Sequence, residues 1–221
     1  MNEREKNEKQ LKLFWNNCDL HFSHNVIGGH LSNYSTLTKK WESYFIDKVV
    51  FKDKTVLDYG IGGGYLGKYL LDNKKIKYYY GVDISERSIQ KTSQILKKYN
   101  QKKLLNTNIF YDDFKDKVDI FISQACIQHF PTEKYLIEFL KQINSLKLDI
   151  VILQIAINMD NTTEFHNKQY NSTSNVVRAC YTNEGFLLKY LDNYSIYHKN
   201  KKMLNKRKDF LQYLFFKCKN D

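Results

Sequence analysis

The sequence predicts an α/β protein built on a parallel sheet with helices covering both faces. Three observations carry this. From about residue 50 onward, β-type and helix-type segments alternate along the 221-residue chain. The run Asp149-Ile150-Val151-Ile152-Leu153 is almost continuously apolar, as a strand buried on both faces must be. A short β-type run, Val56-Leu57-Asp58-Tyr59, passes into glycines at alternate positions, Gly60, Gly62 and Gly64, ahead of a helix-like segment. Glycines at such a turn let backbone N–H groups approach a ligand closely, because no Cβ stands in the way.

Residues 3–17 read as an amphipathic helix, with Leu11, Phe14 and Trp15 on one side of a charged stretch. A polar segment with His21, His24 and His30 follows. A second helix is expected over 37–49, where Leu37, Trp41, Tyr44, Phe45 and Val49 recur at helical spacing. Strands are predicted at 55–59, 77–83, 107–111, 118–123 and 149–156, and helices at 64–72, 85–99 and 133–145. Ser85 before Glu86 is the expected N-cap of the second of these helices. A long polar insert covers 157–182, and a short helix follows from Asn183 to about Asp192, capped by Thr182 or Asn183. Two last strands, about 193–199 and 210–218, flank the basic run from Lys199 to Lys208. With no repeat, linker or low-complexity boundary, the expectation is one domain over 1–221, with 1–50 a helical lid or substrate segment.

Composition excludes several classes. No apolar run reaches the length of a membrane span, and the charged start lacks a signal-peptide core. Cys18, Cys126, Cys180 and Cys218 are widely spaced and form no metal-type cluster. They read as reduced thiols of a cytoplasmic protein that binds no structural metal. The net charge of +11 invites a nucleic-acid partner, but nearly all of it is Lys. Only Arg4, Arg87, Arg178 and Arg207 offer the bidentate fork that reads phosphate and base edges. A nucleic-acid partner is therefore not favoured, though not excluded, and the oligomeric state is left open, a dimer included.

The glycine run admits two cofactors. Gly62, Gly64 and Gly67, with Asp83 about twenty residues on, match the dinucleotide pattern. That reading leaves Asp58 unexplained and sets an anion against a pyrophosphate. The pattern Asp58, Gly60, Gly62, Gly64 uses every special residue of the run, and it resembles the first motif of the class I S-adenosylmethionine (SAM) methyltransferases. The resemblance covers roughly 50–218 and implies a Rossmann-like, doubly wound, seven-stranded sheet, mostly parallel with an antiparallel last strand, preceded here by N-terminal helices.

The same resemblance implies roles. The acidic Asp58 would face the cationic amino end of the methionine moiety. Asp83, at a strand tip, would accept from the ribose hydroxyls, and Ile84 would pack on the adenine. Either Asp112 or Asp113 would accept from the adenine amino group, with the backbone N–H of Phe114 toward the ring. The run Val118 to Pro131 resembles the family's fourth motif and the turn after it. It places Gln124 at a strand tip near the sulfonium, and Gln128 and His129 along the active site. His129 is the candidate base. Around them His24, His30 and Tyr34 of the N-terminal segment, and His166, Tyr170 and Arg178 of the insert, are candidate acceptor-binding residues, because loops at the C-terminal strand ends carry specificity in open α/β sheets.

Absences narrow the acceptor. With Pro131 as the sole proline, neither a Pro-Pro-Tyr signature of amino-methylating nucleic-acid enzymes nor the Pro-Cys nucleophile of cytosine-C5 enzymes can exist. Ser123-Gln124 stand where catechol-type enzymes carry a magnesium-binding Asp. The expectation is metal-independent methyl transfer from SAM, leaving S-adenosylhomocysteine, to oxygen or nitrogen of a small molecule such as a sugar or another metabolite. A small RNA methyltransferase, a nicotinamide-dependent enzyme and a catalytically silent SAM-binding scaffold are the rival readings.

Overall fold

The computed structural model describes residues 3–17, 34–107, 114, 116–158, 160–165, 180–203 and 210–219. These fall into two compact units, one holding the described residues up to Thr107 and the other those from Phe114 onward. A seven-stranded sheet runs in the order Lys102–Asn106, Tyr78–Asp83, Thr55–Tyr59, Ile120–Ser123, Ile150–Ile157, Phe210–Cys218 and Tyr194–Met203.

In the first unit, helices α1 (Glu3–Asn17) and α2 (Tyr34–Tyr44) precede β1 (Thr55–Tyr59), α3 (Tyr65–Asn73), β2 (Tyr78–Asp83), α4 (Glu86–Ile95) and β3 (Lys102–Asn106). All five residues of β1 are buried. It pairs parallel with β2, Asp58 opposite Gly81 and Tyr59 opposite Val82. Strand β2 in turn pairs parallel with β3, Asp83 opposite Asn106. The expected cap forms: the Ser85 side chain accepts from the Ser88 backbone N–H at 3.2 Å, a bond worth about 1 kcal/mol at a helix start. Trp41 and Phe45 are buried, the Trp41 ring 5.8 Å from that of Tyr69 on α3.

In the second unit, β4 (Ile120–Ser123) leads through a 3-10 turn, Ile127–His129, to α5 (Glu133–Leu146) and β5 (Ile150–Ile157). The remaining elements are β6 (Glu164–Phe165), β7 (Cys180–Tyr181), α6 (Glu184–Tyr190), β8 (Tyr194–Met203) and β9 (Phe210–Cys218). Strands β4 and β5 are parallel. Strand β9 lies between β5 and β8, antiparallel to both. Thr132 caps α5 through the Tyr135 N–H, and Asn183 rather than Thr182 caps α6 through the Phe186 N–H. The core here is aromatic and aliphatic: Phe130 stacks edge-on against Tyr135 and Phe139, each with ring centroids 4.9 Å apart.

Several predicted boundaries are corrected. The strand expected at 107–111 lies at Lys102–Asn106, and Ile109-Phe110-Tyr111 lie outside the described residues. A lysine-led run hides as a strand because it sits at the sheet edge, where one side lacks a partner and lysines discourage stray pairing. To admit it, α4 ends at Ile95 instead of 99, and Tyr99 N–H bonds the Leu96 carbonyl in the turn. Helix α2 starts earlier and breaks at Tyr44, with 3-10 geometry over Ile46–Lys48 in place of its last turn. The insert carries an unpredicted two-stranded ribbon, Glu164 opposite Tyr181 and Phe165 opposite Cys180. Part of the basic run is strand rather than loop, since β8 extends to Met203 with Lys201 opposite Gln212. Among the described residues no helix is long and apolar enough to cross a membrane.

The glycine at 67 is a packing requirement of this fold. A Cβ there would lie 2.5 Å from Tyr79 Cζ and 2.7 Å from its hydroxyl oxygen, so α3 closes on β2 only across a bare backbone. Gly67→Ala is expected to lower stability by about 1–3 kcal/mol. Urea unfolding checks this, and the loss should shrink in a Tyr79→Val background that vacates the slot.

Candidate active site

The turn after β1 is built from three left-handed glycines, Gly60 (φ 82°), Gly62 (φ 52°) and Gly64 (φ 76°). Gly60 N–H bonds the Val82 carbonyl at 2.8 Å, carrying the β1–β2 ladder past the end of the strand. Gly64 serves as N-cap of α3, and a Cβ on it would meet the Thr92 side chain at 2.6 Å. Thr92, buried on α4, donates its hydroxyl to the Gly62 carbonyl at 3.2 Å. The loop is therefore held from both sides, by β2 and by α4. Residues of the helix start, α3, follow directly, with their N–H groups toward the loop.

Asp83 closes the arrangement. Its Oδ2 accepts from Gly62 N–H at 2.9 Å and its Oδ1 from Ser85 N–H at 2.8 Å. Burial pushes its carboxyl up to about 6, against the pull of these two N–H groups and the Ser88 side chain. A carboxylate offers about four lone-pair sites. Gly62 N–H, Ser85 N–H and the Ser88 side chain engage three of them, which leaves room for a further donor. Asn106, in register with Asp83, donates through Nδ2 to the Asp83 and Ile84 carbonyls at 3.0 and 2.9 Å. Ile84 itself is half-buried. Helix α1 is seated on the same tip: Ser85 donates to Asn16 Oδ1 at 3.0 Å, and Lys12 Nζ lies 2.7 Å from Glu86.

Asp58 is buried on β1. Its Oδ2 accepts from the Tyr79 hydroxyl at 2.8 Å. Burial pushes its carboxyl up to about 7; the Tyr79 bond lowers it, and the charge of Asp83 raises it. Tyr34 reaches the same unit's aromatic cluster, 6.0 Å from the Tyr65 ring at the start of α3, with Lys68 Nζ 5.2 Å above its face. Its hydroxyl is buried without a hydrogen-bond partner, and burial, with lesser contributions from Asp72 and Tyr99, pushes its pKa up to about 12.

In the second unit the turn after β4 carries Gln124, Gln128 and His129. Ala125 takes a left-handed φ of 52°, and its N–H is fixed by Gln154 Oε1 of β5 at 3.1 Å. Gln124 Nε2 donates to the Tyr213 hydroxyl at 3.2 Å. Gln128 and His129 are both buried, with Gln128 Nε2 3.5 Å from His129 Nε2. Gln128 Oε1 and Ser123 Oγ are buried acceptors without a hydrogen-bond partner. Buried polar atoms of this kind call for a ligand or water. Phe114 is buried beside its own short turn. His21, His24, His30, Asp112, Asp113, His166, Tyr170 and Arg178 lie outside the described residues.

The structure thus brings together Asp58, Gly60, Gly62, Gly64 and Asp83 in one unit and Gln124, Gln128 and His129 in the other. Reading the sequence missed Tyr79, Thr92 and Asn106. Tyr79 shares a face with Asp58 in the parallel pair, which only the strand register reveals. Thr92 and Asn106 carry no signal in the sequence, because their partners are backbone carbonyls of other segments.

Strand order, antiparallel β9 and the glycine turn after β1 define a Rossmann-like α/β class. Residues 57–147 match the family model described as a methyltransferase domain, and that stretch spans the glycine turn, Asp83 and His129. No curated protein matches the chain in sequence. Among solved structures, the mycolic acid cyclopropane synthase CmaA1 is similar over 95% of this chain and 98% of its own, at 9% identity and a TM-score of 0.69. The magnesium protoporphyrin IX methyltransferase ChlM from Synechocystis PCC 6803 covers 96% and 100% at 18% identity and a TM-score of 0.63. The N-methyltransferase NodS from Bradyrhizobium japonicum WM9 covers 94% and 99% at 10% identity and 0.62. The match to the methyltransferase-domain model is confined to residues 57–147, and the chain as a whole shares the fold of these solved structures.

The buried Asp58 has a consequence for stability. A folded-state carboxyl raised above the unfolded range contributes stability that is fully present below the unfolded pKa and is lost as pH rises through about 7. Asp58→Asn keeps an acceptor for Tyr79 without the charge. It is expected to match the wild type near pH 4 and to exceed it at pH 8 by about 2 kcal/mol, or roughly 4–8 °C in melting temperature. Calorimetric melts across this range provide the check.

Proposed function

We infer that the protein is a metal-independent SAM-dependent methyltransferase acting on oxygen or nitrogen of a small molecule, a sugar or similar metabolite. The observation that carries the cofactor half is the Gly62 N–H bonded to Asp83, with three alternate left-handed glycines around it. Such a turn offers bare backbone to a nucleoside, and the remaining acceptor capacity of Asp83 suits a ribose hydroxyl. Ile84 is assigned to the adenine face, either Asp112 or Asp113 to the adenine amino group, and Asp58 to the cofactor's ammonium.

SAM supplies a methyl group on a sulfonium that is already a good leaving group. The chain's own residues then need only align an acceptor and dispose of its proton. His129 is assigned as the base for an alcohol acceptor. Gln128, whose buried Oε1 lacks a partner, is assigned a hydrogen bond from the acceptor. Gln124 is assigned to the reacting end of the cofactor and Tyr34 to the acceptor. The named neighbours act on a porphyrin and a mycolic acid, so the fold by itself selects no acceptor.

Calorimetric titration with S-adenosylhomocysteine tests the cofactor. Binding is expected for the wild type, and Asp83→Asn should weaken it by about 1.5–3 kcal/mol, roughly tenfold to more than a hundredfold. Folded wild-type protein that does not bind would overturn the assignment. Once an acceptor is found, His129→Ala should lower turnover at least about a hundredfold while leaving S-adenosylhomocysteine affinity within about twofold. An unchanged rate removes His129 from the chemistry.

A further inference from the structure

Tyr79 sits in a slot made for a phenol. Its ring is wholly buried on β2, and its hydroxyl ends 2.8 Å from Asp58 Oδ2. Two glycines leave the space. The Cβ missing at Gly67 would fall 2.5 Å from Tyr79 Cζ, and the one missing at Gly81 would fall 2.9 Å from Cε1. The register explains the reach: Tyr79 stands opposite Val56, and Gly81 stands opposite Asp58, so the phenol leans one step along the same sheet face across bare backbone. Burying a carboxylate and a phenol together costs stability that a well-packed apolar pair would not. A pair kept at that cost, immediately before the glycine turn, needs a purpose other than packing.

We propose that Tyr79 is a positioning residue for cofactor binding: its buried hydroxyl holds the Asp58 carboxylate in one orientation and favours its ionised form, so that Asp58 serves as counter-ion to the ammonium of the cofactor's methionine end. The inference rests on the reading of SAM as cofactor and of Asp58 as the ammonium's partner. Among the described residues Tyr79 is the donor to this carboxylate, through Oδ2, and Oδ1 has no donor of its own. A carboxylate fixed by one oxygen presents the other in a defined direction, and charge-assisted contacts to an ammonium depend on that.

The titratable groups that act on Asp58 are Tyr79 and Asp83, both of β2, and they pull in opposite directions. The Tyr79 bond favours the anion, and the Asp83 charge disfavours it. Removing the hydroxyl therefore raises the Asp58 carboxyl further. Less of it is ionised at neutral pH, and affinity for a cationic ligand falls.

The test compares S-adenosylhomocysteine with methylthioadenosine, the same nucleoside thioether lacking the amino-acid end, by calorimetric titration from about pH 6 to about pH 8. Asp83 titrates in the same window but faces the ribose in both ligands, so the ratio of the two affinities isolates Asp58. Tyr79→Phe is expected to weaken S-adenosylhomocysteine about five- to tenfold at pH 7 and methylthioadenosine by less than about twofold. The pH at which the affinity ratio is half lost should also move upward. Tyr79→Met, which fills the slot without a donor, should give the same split. Equal loss for both ligands makes Tyr79 a packing residue and overturns the proposal, as does an unchanged ratio. If Asp58→Asn leaves S-adenosylhomocysteine binding intact, the counter-ion role and the proposal fall together while the cofactor stands. If the folded wild type binds neither ligand, the cofactor reading itself falls.

Discussion

The hydrogen bond from Gly62 N–H to Asp83 holds the first unit's working parts in register. One carboxylate ties the glycine turn after β1 to the tip of β2, and through Ser85 N–H to the start of α4. Everything nearby is arranged around that tie. Gly60 extends the β1–β2 ladder, Thr92 reaches from α4 to the Gly62 carbonyl, and Asn106 of β3 clamps the backbone of Asp83 and Ile84. Without an anion at 83, the Gly62 and Ser85 N–H groups would be buried or half-buried donors lacking a partner, which costs more than the bonds contribute when made.

This arrangement trades stability for chemistry. Two aspartates buried on one unit, both with carboxyls raised by desolvation, oppose folding at neutral pH. Three left-handed glycines cost unfolded-chain entropy, and Gly67 and Gly81 leave room for the Tyr79 ring in place of side chains of their own. Each of these would be replaced by something more stable if packing alone were selected. Together they leave bare backbone and two buried carboxyls on neighbouring strands, the arrangement on which the proposed cofactor site rests.

The second unit solves a different problem, a sharp exit from β4 into α5. Ala125 takes a left-handed conformation that a residue with a side chain seldom adopts, and Gln154 of the neighbouring strand holds its N–H. The 3-10 turn that follows buries Gln128 and His129 side by side, ahead of the Thr132 cap of α5. The amide enclosed in this way keeps unsatisfied hydrogen-bonding capacity at Gln128 Oε1.

Alternating patterns, the glycine spacing and the acidic strand tips were legible in the chain alone, because each depends on local chemistry: a glycine where φ is positive, a Ser before a helix, an apolar run where a strand is buried on both faces. Asp58, Gly60, Gly62, Gly64 and Asp83 were singled out this way, and the structure places them in one unit. The position of β3 was not, because an edge strand led by Lys102 and Lys103 lacks the apolar signature of a central one. Nor were Tyr79, Thr92 and Asn106, whose roles come from partners far along the chain. Sequence determined which residue types stand at each turn. Only tertiary packing decided that a phenol from β2 would meet the aspartate of β1, because the meeting depends on strand register and on Gly67, which α3 brings over the ring.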